Sequence, residues 1–162
     1  MLKNKLGLKK TSQIIKIEYY IFNIKYHLIN SDYTFNEPDE FNIKFLEKIH
    51  IFLFNDIYEL DECKIRKTIE PKSLNFVNLK LKELKEAVEN EDYETIRKNI
   101  YDIWERQIFC DGNTRTILCF LKIMKEKYNI NVNYDFKEDI NKDNFIRELV
   151  DSIYKEKIKW HI

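Results

Sequence analysis

Apolar residues recur every three or four positions along almost the whole chain, and only two glycines and two prolines interrupt them. That period is the signature of helices with one buried face. Ile14, Ile17, Ile21, Ile24 and Leu28 form a first stripe. Phe45, Ile49, Phe52 and Leu53 form a second, and Leu74, Val77, Leu81, Leu84 and Val88 a third. Tyr93, Ile96, Ile100, Ile103 and Trp104 make a fourth, with Asp92 placed to cap it. Ile117, Phe120, Leu121 and Met124 make a fifth, and Phe145, Leu149 and Ile153 a sixth. The expectation is an all-α fold in which these stripes are core.

Short segments join the stripes. Pro38 lies in an Asn-Glu-Pro-Asp stretch that suits a turn or the first turn of a helix. Ile65-Arg66-Lys67-Thr68-Ile69, just before Pro71, is β-prone and too brief for a helix. No internal repeat or low-complexity linker divides the chain, and 162 residues suffice for one domain with its own core. The domain is therefore expected to span 1–162, with 10–30 and 138–158 as flanking helices.

Charge narrows the function classes. The chain carries 28 basic and 28 acidic residues. A balanced chain has no general pull on nucleic acid, so a nucleic-acid partner is not expected. Three cysteines, Cys63, Cys110 and Cys119, lack any paired spacing, which points to a reducing compartment. Neither a C-x-x-C nor a His cluster occurs, so a zinc site is not expected. The basic start, Met1-Leu2-Lys3-Asn4-Lys5, lacks the apolar run of a signal peptide. No stretch approaches the ~20 apolar residues of a membrane span. A soluble, cytoplasmic protein without a membrane partner is expected. Its Lys, Asn and Ile content suggests an AT-rich, bacterial coding genome.

The chemistry concentrates in Gln107-Ile108-Phe109-Cys110-Asp111-Gly112-Asn113-Thr114-Arg115-Thr116, between the fourth and fifth stripes. One of the two glycines stands here, between an acid and an amide, with an arginine just beyond. Such a turn opening a helix leaves several N–H groups without partners, which suits a phosphate. Asp111 suits a divalent cation, and Arg115 suits phosphate oxygens. Asp-Gly-Asn is also an ordinary helix-opening turn that needs no ligand. Cys110 has no histidine neighbour in sequence, which argues against a nucleophilic thiol.

This run resembles the signature of the Fic family, within the Fido superfamily that also holds the Doc toxins: His-x-Phe-x-Asp/Glu-Gly-Asn-Gly-Arg-x-x-Arg. Phe109, Asp111, Gly112, Asn113 and Arg115 match in place and spacing. Upstream, Phe45 to Tyr58 followed by Ile65-Arg66-Lys67 resembles the family's Ile-His-x-x-Leu-Phe-x-Asp-Ile-Tyr helix and the arginine after it. The two segments keep the family's order and approximate spacing, and the resemblance is strongest over 40–128.

The resemblance implies a Fic-fold helical domain with a small β-hairpin flap, at about 64–72, where a protein target docks by strand addition. It implies AMP transfer from ATP, or another nucleotide donor, to a Ser, Thr or Tyr hydroxyl of that target. Gly112, Asn113, Thr114 and Arg115 would bind the phosphates, Asp111 would hold Mg²⁺, and Gln107 would stand at the catalytic base position. Gln107 replaces the family's His, Thr114 replaces a Gly, and Leu118 replaces the final Arg. Glutamine is no base near neutral pH, and general-base catalysis supplies about 10²–10⁴-fold, so transfer should be weak or absent. Thr114 is compatible if the position needs no positive φ, and its hydroxyl could cap the helix. Leu118 removes one cation from the outer phosphates, which weakens that grip or changes the preferred nucleotide.

His50 lies in the second stripe and reads as helix packing rather than a substitute base. His27 lies on the flank of the first stripe and His161 at the terminus. The family's inhibitory Ser/Thr-x-x-x-Glu-Gly/Asn helix has no match. Thr11 and Ser12 lack a glutamate at the required spacing, and Asn144 to Glu148 lacks the starting hydroxyl. Inhibition would come from a separate partner chain, or a weakened enzyme would need none. Two alternatives to an enzyme stay open: a non-catalytic nucleotide- or protein-binding regulatory module of the same fold, and a helical interaction module whose Asp-Gly-Asn is only a turn.

Overall fold

The structure is a computed structural model that describes residues 2–31, 35, 39–133 and 142–155. Pro38, His161 and parts of the expected 138–158 helix lie outside the described residues. Within them the chain is helical: α1 Thr11–Leu28, α2 Ile43–Phe54, α3 Pro71–Glu89, α4 Tyr93–Glu105, α5 Asn113–Tyr128 and α6 Lys142–Asp151. Two three-residue strands, β1 Ile130–Val132 and β2 Ile153–Lys155, pair antiparallel with Ile130 opposite Lys155 and Val132 opposite Ile153.

Local chemistry sets the helix ends. Asn42 caps α2 by accepting from the Phe45 amide at 2.9 Å, and Asp92 caps α4 by accepting from the Thr95 amide at 3.1 Å. Pro71 opens α3, where its missing N–H costs nothing. Asn129 closes α5 in the left-handed conformation at φ 57, a geometry that Asn tolerates better than most residues.

The core forms where the stripes meet. α3 lies along α4, α2 packs on α5, α1 lies on α2, and α6 returns onto α4. Ile49, Leu53, Leu81, Leu84, Ile96, Ile100, Phe120 and Leu121 are fully buried. The expected second to fifth stripes are the faces that point inward, with Leu74, Phe52 and Tyr93 partly exposed at their edges.

The first and last stripes differ from expectation. On α1 the buried residues are Ile14, Glu18 and Phe22. Ile17 and Ile21 only flank this line, while Ile24 and Leu28 are 60% and 52% exposed. A carboxylate with buried partners turns the helix, as described below, and apolar periodicity alone does not register that pull. Phe145 and Leu149 lie on α6 as expected, but Ile153 is in β2, because the helix ends at Asp151 and the chain reverses to pair with β1.

The small sheet is also not where the resemblance implied. Residues 64–70 form turns and unpaired extended backbone rather than a hairpin. Their hydrogen bonds go elsewhere: the Ile65 amide donates to the Glu47 carboxylate at 2.9 Å, and the Arg66 amide donates to the Ile108 carbonyl at 3.0 Å. Pro71 then starts α3 before a second strand has room to form.

The orientation of α1 is testable by denaturant unfolding. Phe22→Ala should cost about 3–5 kcal/mol, as removal of a buried aromatic does. Ile24→Ser should stay within about 0.5 kcal/mol of the parent. A large loss from Ile24→Ser with a small one from Phe22→Ala would mean that α1 buries the other face.

Candidate functional site

The loop from Arg106 to Gly112 joins α4 to α5, and its backbone closes on itself. The Asn113 side chain spans it, accepting from the Phe109 amide at 3.0 Å and donating to the Phe109 carbonyl at 3.0 Å. Asn113 is 8% exposed, so its amide group is committed to the shape of the loop. Any contact it makes with a phosphate would come through its backbone N–H.

Gly112 caps α5 in the left-handed conformation, at φ 73. A Cβ placed there would come within 2.5 Å of the Phe54 ring and 3.2 Å of His50 Nε2. Only glycine fits both the backbone and the space. The turn is therefore seated directly on α2, which explains why a chain nearly free of glycine keeps one at this point.

His50 completes the seat. Its ring stacks on Phe109, with centroids 4.0 Å apart and planes 6° from parallel. Nδ1 lies 2.6 Å from the Cys63 carbonyl and Nε2 lies 2.9 Å from the Asp111 carbonyl. Burial holds the His50 pKa below 6.5 against the pull of those two carbonyls, with nearby Arg115 adding to the lowering. The neutral ring that burial favours has a single N–H to donate. His50 is thus a structural histidine, as expected from its place in the stripe.

The start of α5 lies beside this seat. No side chain caps it. By helix geometry the amides of Asn113, Thr114 and Arg115 have no intrahelical acceptor. Asp111 Oδ1 accepts from the Gly112 amide at 2.7 Å, and the Asp111 side chain is 46% exposed. Arg115 lies beside them with its guanidinium 4.6 Å above the Phe54 ring and its Nη2 4.0 Å from Asp111 Oδ1. An acid, an arginine and a set of amides without a side-chain cap are therefore found together at one helix terminus.

Gln107 holds the base position on a backbone with φ 45. Its side-chain amide donates to the Trp104 carbonyl at 2.8 Å, folded back onto the end of α4. Arg66 Nε donates to the Gln107 carbonyl at 2.7 Å. Together with the hydrogen bond from the Arg66 amide to the Ile108 carbonyl, this ties the 64–70 segment to the loop.

The other departures from the resembled signature also find their environment. Thr114 lies inside α5 and needs no positive φ. Its hydroxyl accepts from the Trp104 indole at 2.9 Å rather than capping the helix. Leu118 is 4% exposed and lines a cavity of about 150 Å³ with Tyr26, Leu121, Lys122 and Val132. Cys63 and Cys119 are buried, and Cys110 is exposed. Burial raises the Cys63 thiol to about 11.

Two residues that sequence reasoning did not single out for the site belong beside it. Glu18 of α1, whose side chain is 8% exposed, accepts from Arg115 Nη1 at 3.0 Å. Its other oxygen accepts from the Tyr58 hydroxyl. The available signal was slight: Glu18 is the one acid in α1, and it falls midway between Ile14 and Phe22 at helical spacing.

Among the described residues no group of three or more His, Cys, Asp or Glu side chains is placed to hold a metal unaided. A lone carboxylate beside the uncapped amides of a helix start fits Mg²⁺ only together with a ligand's phosphates, since that ion is held by one or two carboxylates plus substrate phosphates. No helix of the described residues is long and apolar enough to cross a membrane.

No family model matches the sequence, and no curated relative matches it. Among solved structures, the chain is similar to BepC from Bartonella tribocorum, a VirB-translocated effector protein crystallised with bound AMPPNP. The TM-score is 0.67 at 16% identity, over 97% of this chain and 94% of that one. The Fic-like helical fold implied by the signature is the fold observed.

Gly112→Ala should destabilise the protein by more than the roughly 1–2 kcal/mol of a left-handed non-glycine residue, because the Phe54 ring must also move. A loss under about 1 kcal/mol in urea unfolding would contradict the seating of the loop. His50 gives a pH test. A lowered folded-state pKa means that stability is complete above the unfolded value near 6.5 and falls as pH drops toward the folded value. From about pH 7.5 to 5.5 the parent should lose more stability than His50→Gln. Parallel pH profiles would show that His50 is not held neutral.

Proposed function

We propose that the protein binds a nucleotide through its phosphates at the N-terminus of α5, as a Fic-fold protein whose AMP-transfer chemistry is weak or lost. The observation that carries this reading is the uncapped start of α5 with Arg115 held beside it and Asp111 one turn back. Anions are favoured there by unpaired amides and by the helix dipole, and Arg115 adds a charged, forked donor. The backbone N–H groups of Asn113 and Thr114 would take phosphate oxygens, and Arg115 the β-phosphate. Asp111 would hold Mg²⁺, which when bound neutralises phosphate charge. The nucleotide analogue in the BepC crystals supports the same class of ligand for this chain.

Transfer of AMP would require a target hydroxyl to lose its proton as it attacks the α-phosphate. Gln107 has no basic site for that proton, and its amide N–H is already engaged by Trp104. Gln107 would therefore orient a hydroxyl rather than deprotonate it. A target protein would approach along residues 64–70, whose Arg66 already joins the loop. A regulatory module that binds nucleotide without transfer is the second reading, and the same glutamine favours it.

Thermal unfolding with ATP separates these readings from a plain turn, since a ligand that binds only the native state raises the midpoint with its saturation. We expect a rise that needs Mg²⁺ and disappears in Asp111→Ala. No rise with ATP, GTP or a CDP-linked donor would leave only the helical interaction module. Where nucleotide does bind, Gln107→His should raise labelling of lysate proteins by α-labelled ATP at least tenfold, within the range general-base catalysis supplies. Unchanged labelling would favour the non-catalytic module.

A further inference from the structure

Glu18 and Tyr58 lie outside the signature, yet Glu18 holds its arginine and Tyr58 holds Glu18. Glu18 is 7% exposed. One of its oxygens accepts from Arg115 Nη1 at 3.0 Å and the other from the Tyr58 hydroxyl. Phe54 lies under the guanidinium at 4.6 Å. The arginine side chain, 15% exposed, is thus fixed on one flank by a carboxylate and on one face by a ring. Its other terminal nitrogen, Nη2, remains on the Asp111 side of the site.

Stability alone is a poor reason for this arrangement. Burying an ion pair costs about as much in lost hydration as the pair returns, so apolar residues of similar size would serve the core as well. Preorganisation is a better one. A free arginine loses much rotamer freedom when it grips a ligand, and one already fixed does not. Burial and the Glu18 hydrogen bond both raise the Tyr58 pKa, so its hydroxyl keeps its proton and goes on donating. Tyr58 is anchored in turn: Asn4 pairs with it across a β-bridge, and its amide donates to the Phe54 carbonyl at 2.9 Å.

We propose that Glu18 and Tyr58 are positioning residues for the phosphate site, with Glu18, braced by Tyr58, holding the Arg115 guanidinium on Phe54 so that Nη2 is presented to the β-phosphate. This rests on the nucleotide-phosphate reading above. It makes α1 part of the site: the same carboxylate that rotates the helix away from its apolar stripe aims the arginine.

The test is calorimetric titration of the full chain with Mg²⁺-ADP and with AMP, which lacks the β-phosphate. Arg115→Ala should weaken ADP about tenfold to a hundredfold and leave AMP within about threefold, the loss of one charge-assisted contact. Glu18→Ala should reproduce most of that selective loss. Glu18→Gln, which keeps one acceptor oxygen for Arg115 and turns its NH2 to the Tyr58 hydroxyl as acceptor, should stay within about threefold of the parent for both ligands. Tyr58→Phe should weaken ADP selectively by a smaller factor, and it keeps the proposal testable should Glu18→Ala not fold. The Glu18→Ala/Arg115→Ala double variant should bind ADP no more weakly than Arg115→Ala.

The proposal is overturned if Glu18→Ala and Tyr58→Phe leave the ADP-to-AMP ratio unchanged while Arg115→Ala shifts it. It is equally overturned if Glu18→Ala tightens ADP, which would make the carboxylate a competitor of the phosphate. Parallel loss of ADP and AMP would also overturn it, by showing a general collapse of the site. Failure of the parent to bind either ligand, or an Arg115→Ala variant that binds ADP as the parent does, would instead sink the phosphate reading itself.

Discussion

Contact between Gly112 and the Phe54 ring sets the distance on which the rest of the site depends. The left-handed turn can lie this close to α2 only because no Cβ intervenes. From that contact follow the stacking of His50 on Phe109 and the bridge from Asn113 to the Phe109 backbone. These fix where α5 begins and which way its first amides point. The loop is held by packing from α2 and by bonds from residue 66, so its outer edge carries little structural duty. That division allows a ligand to meet the amides without disturbing what holds them in place.

Charge follows the same division. His50 is deeply buried and favours its neutral form. The exposed carboxylate of Asp111 and the guanidinium of Arg115 lie on the open side. Arg115 is the point where the two halves meet, because its partner Glu18 belongs to the interior while Nη2 lies on the Asp111 side. The helix α1, the segment that follows α2 and the start of α5 therefore share one hydrogen-bonded group. Gln107 stands at the edge of this arrangement, well supported by Trp104 and Arg66 but without the basicity that a proton acceptor needs.

Much of this was legible in the sequence. The stripes of α2 to α5 are strong because each packs one face against a large core, so period and burial coincide. The glycine turn stood out through its rarity and its neighbours, and the resemblance placed it in the right fold. What was hidden has physical causes. On α1 a buried ion pair outweighs two isoleucine and leucine positions, and hydrophobic periodicity does not register a carboxylate that has found its partners. Asn113 reads as a ligand donor in a motif but spends both side-chain groups on its own loop. The expected hairpin at 64–72 is absent because its amides are taken by Glu47 and Ile108, contacts far apart in sequence. The strand pair appears at 130–132 and 153–155 instead, where short apolar runs resemble helix as much as strand.

The measurement that bears most directly on the central claim is a crystal structure of the chain grown with Mg²⁺ and a non-hydrolysable ATP analogue. The account predicts phosphate density against the amides of Gly112 to Arg115, a β-phosphate oxygen within hydrogen-bonding distance of Arg115, and Mg²⁺ between that phosphate and Asp111. A nucleotide bound elsewhere, or phosphates that avoid the start of α5 at saturating ligand, would contradict it.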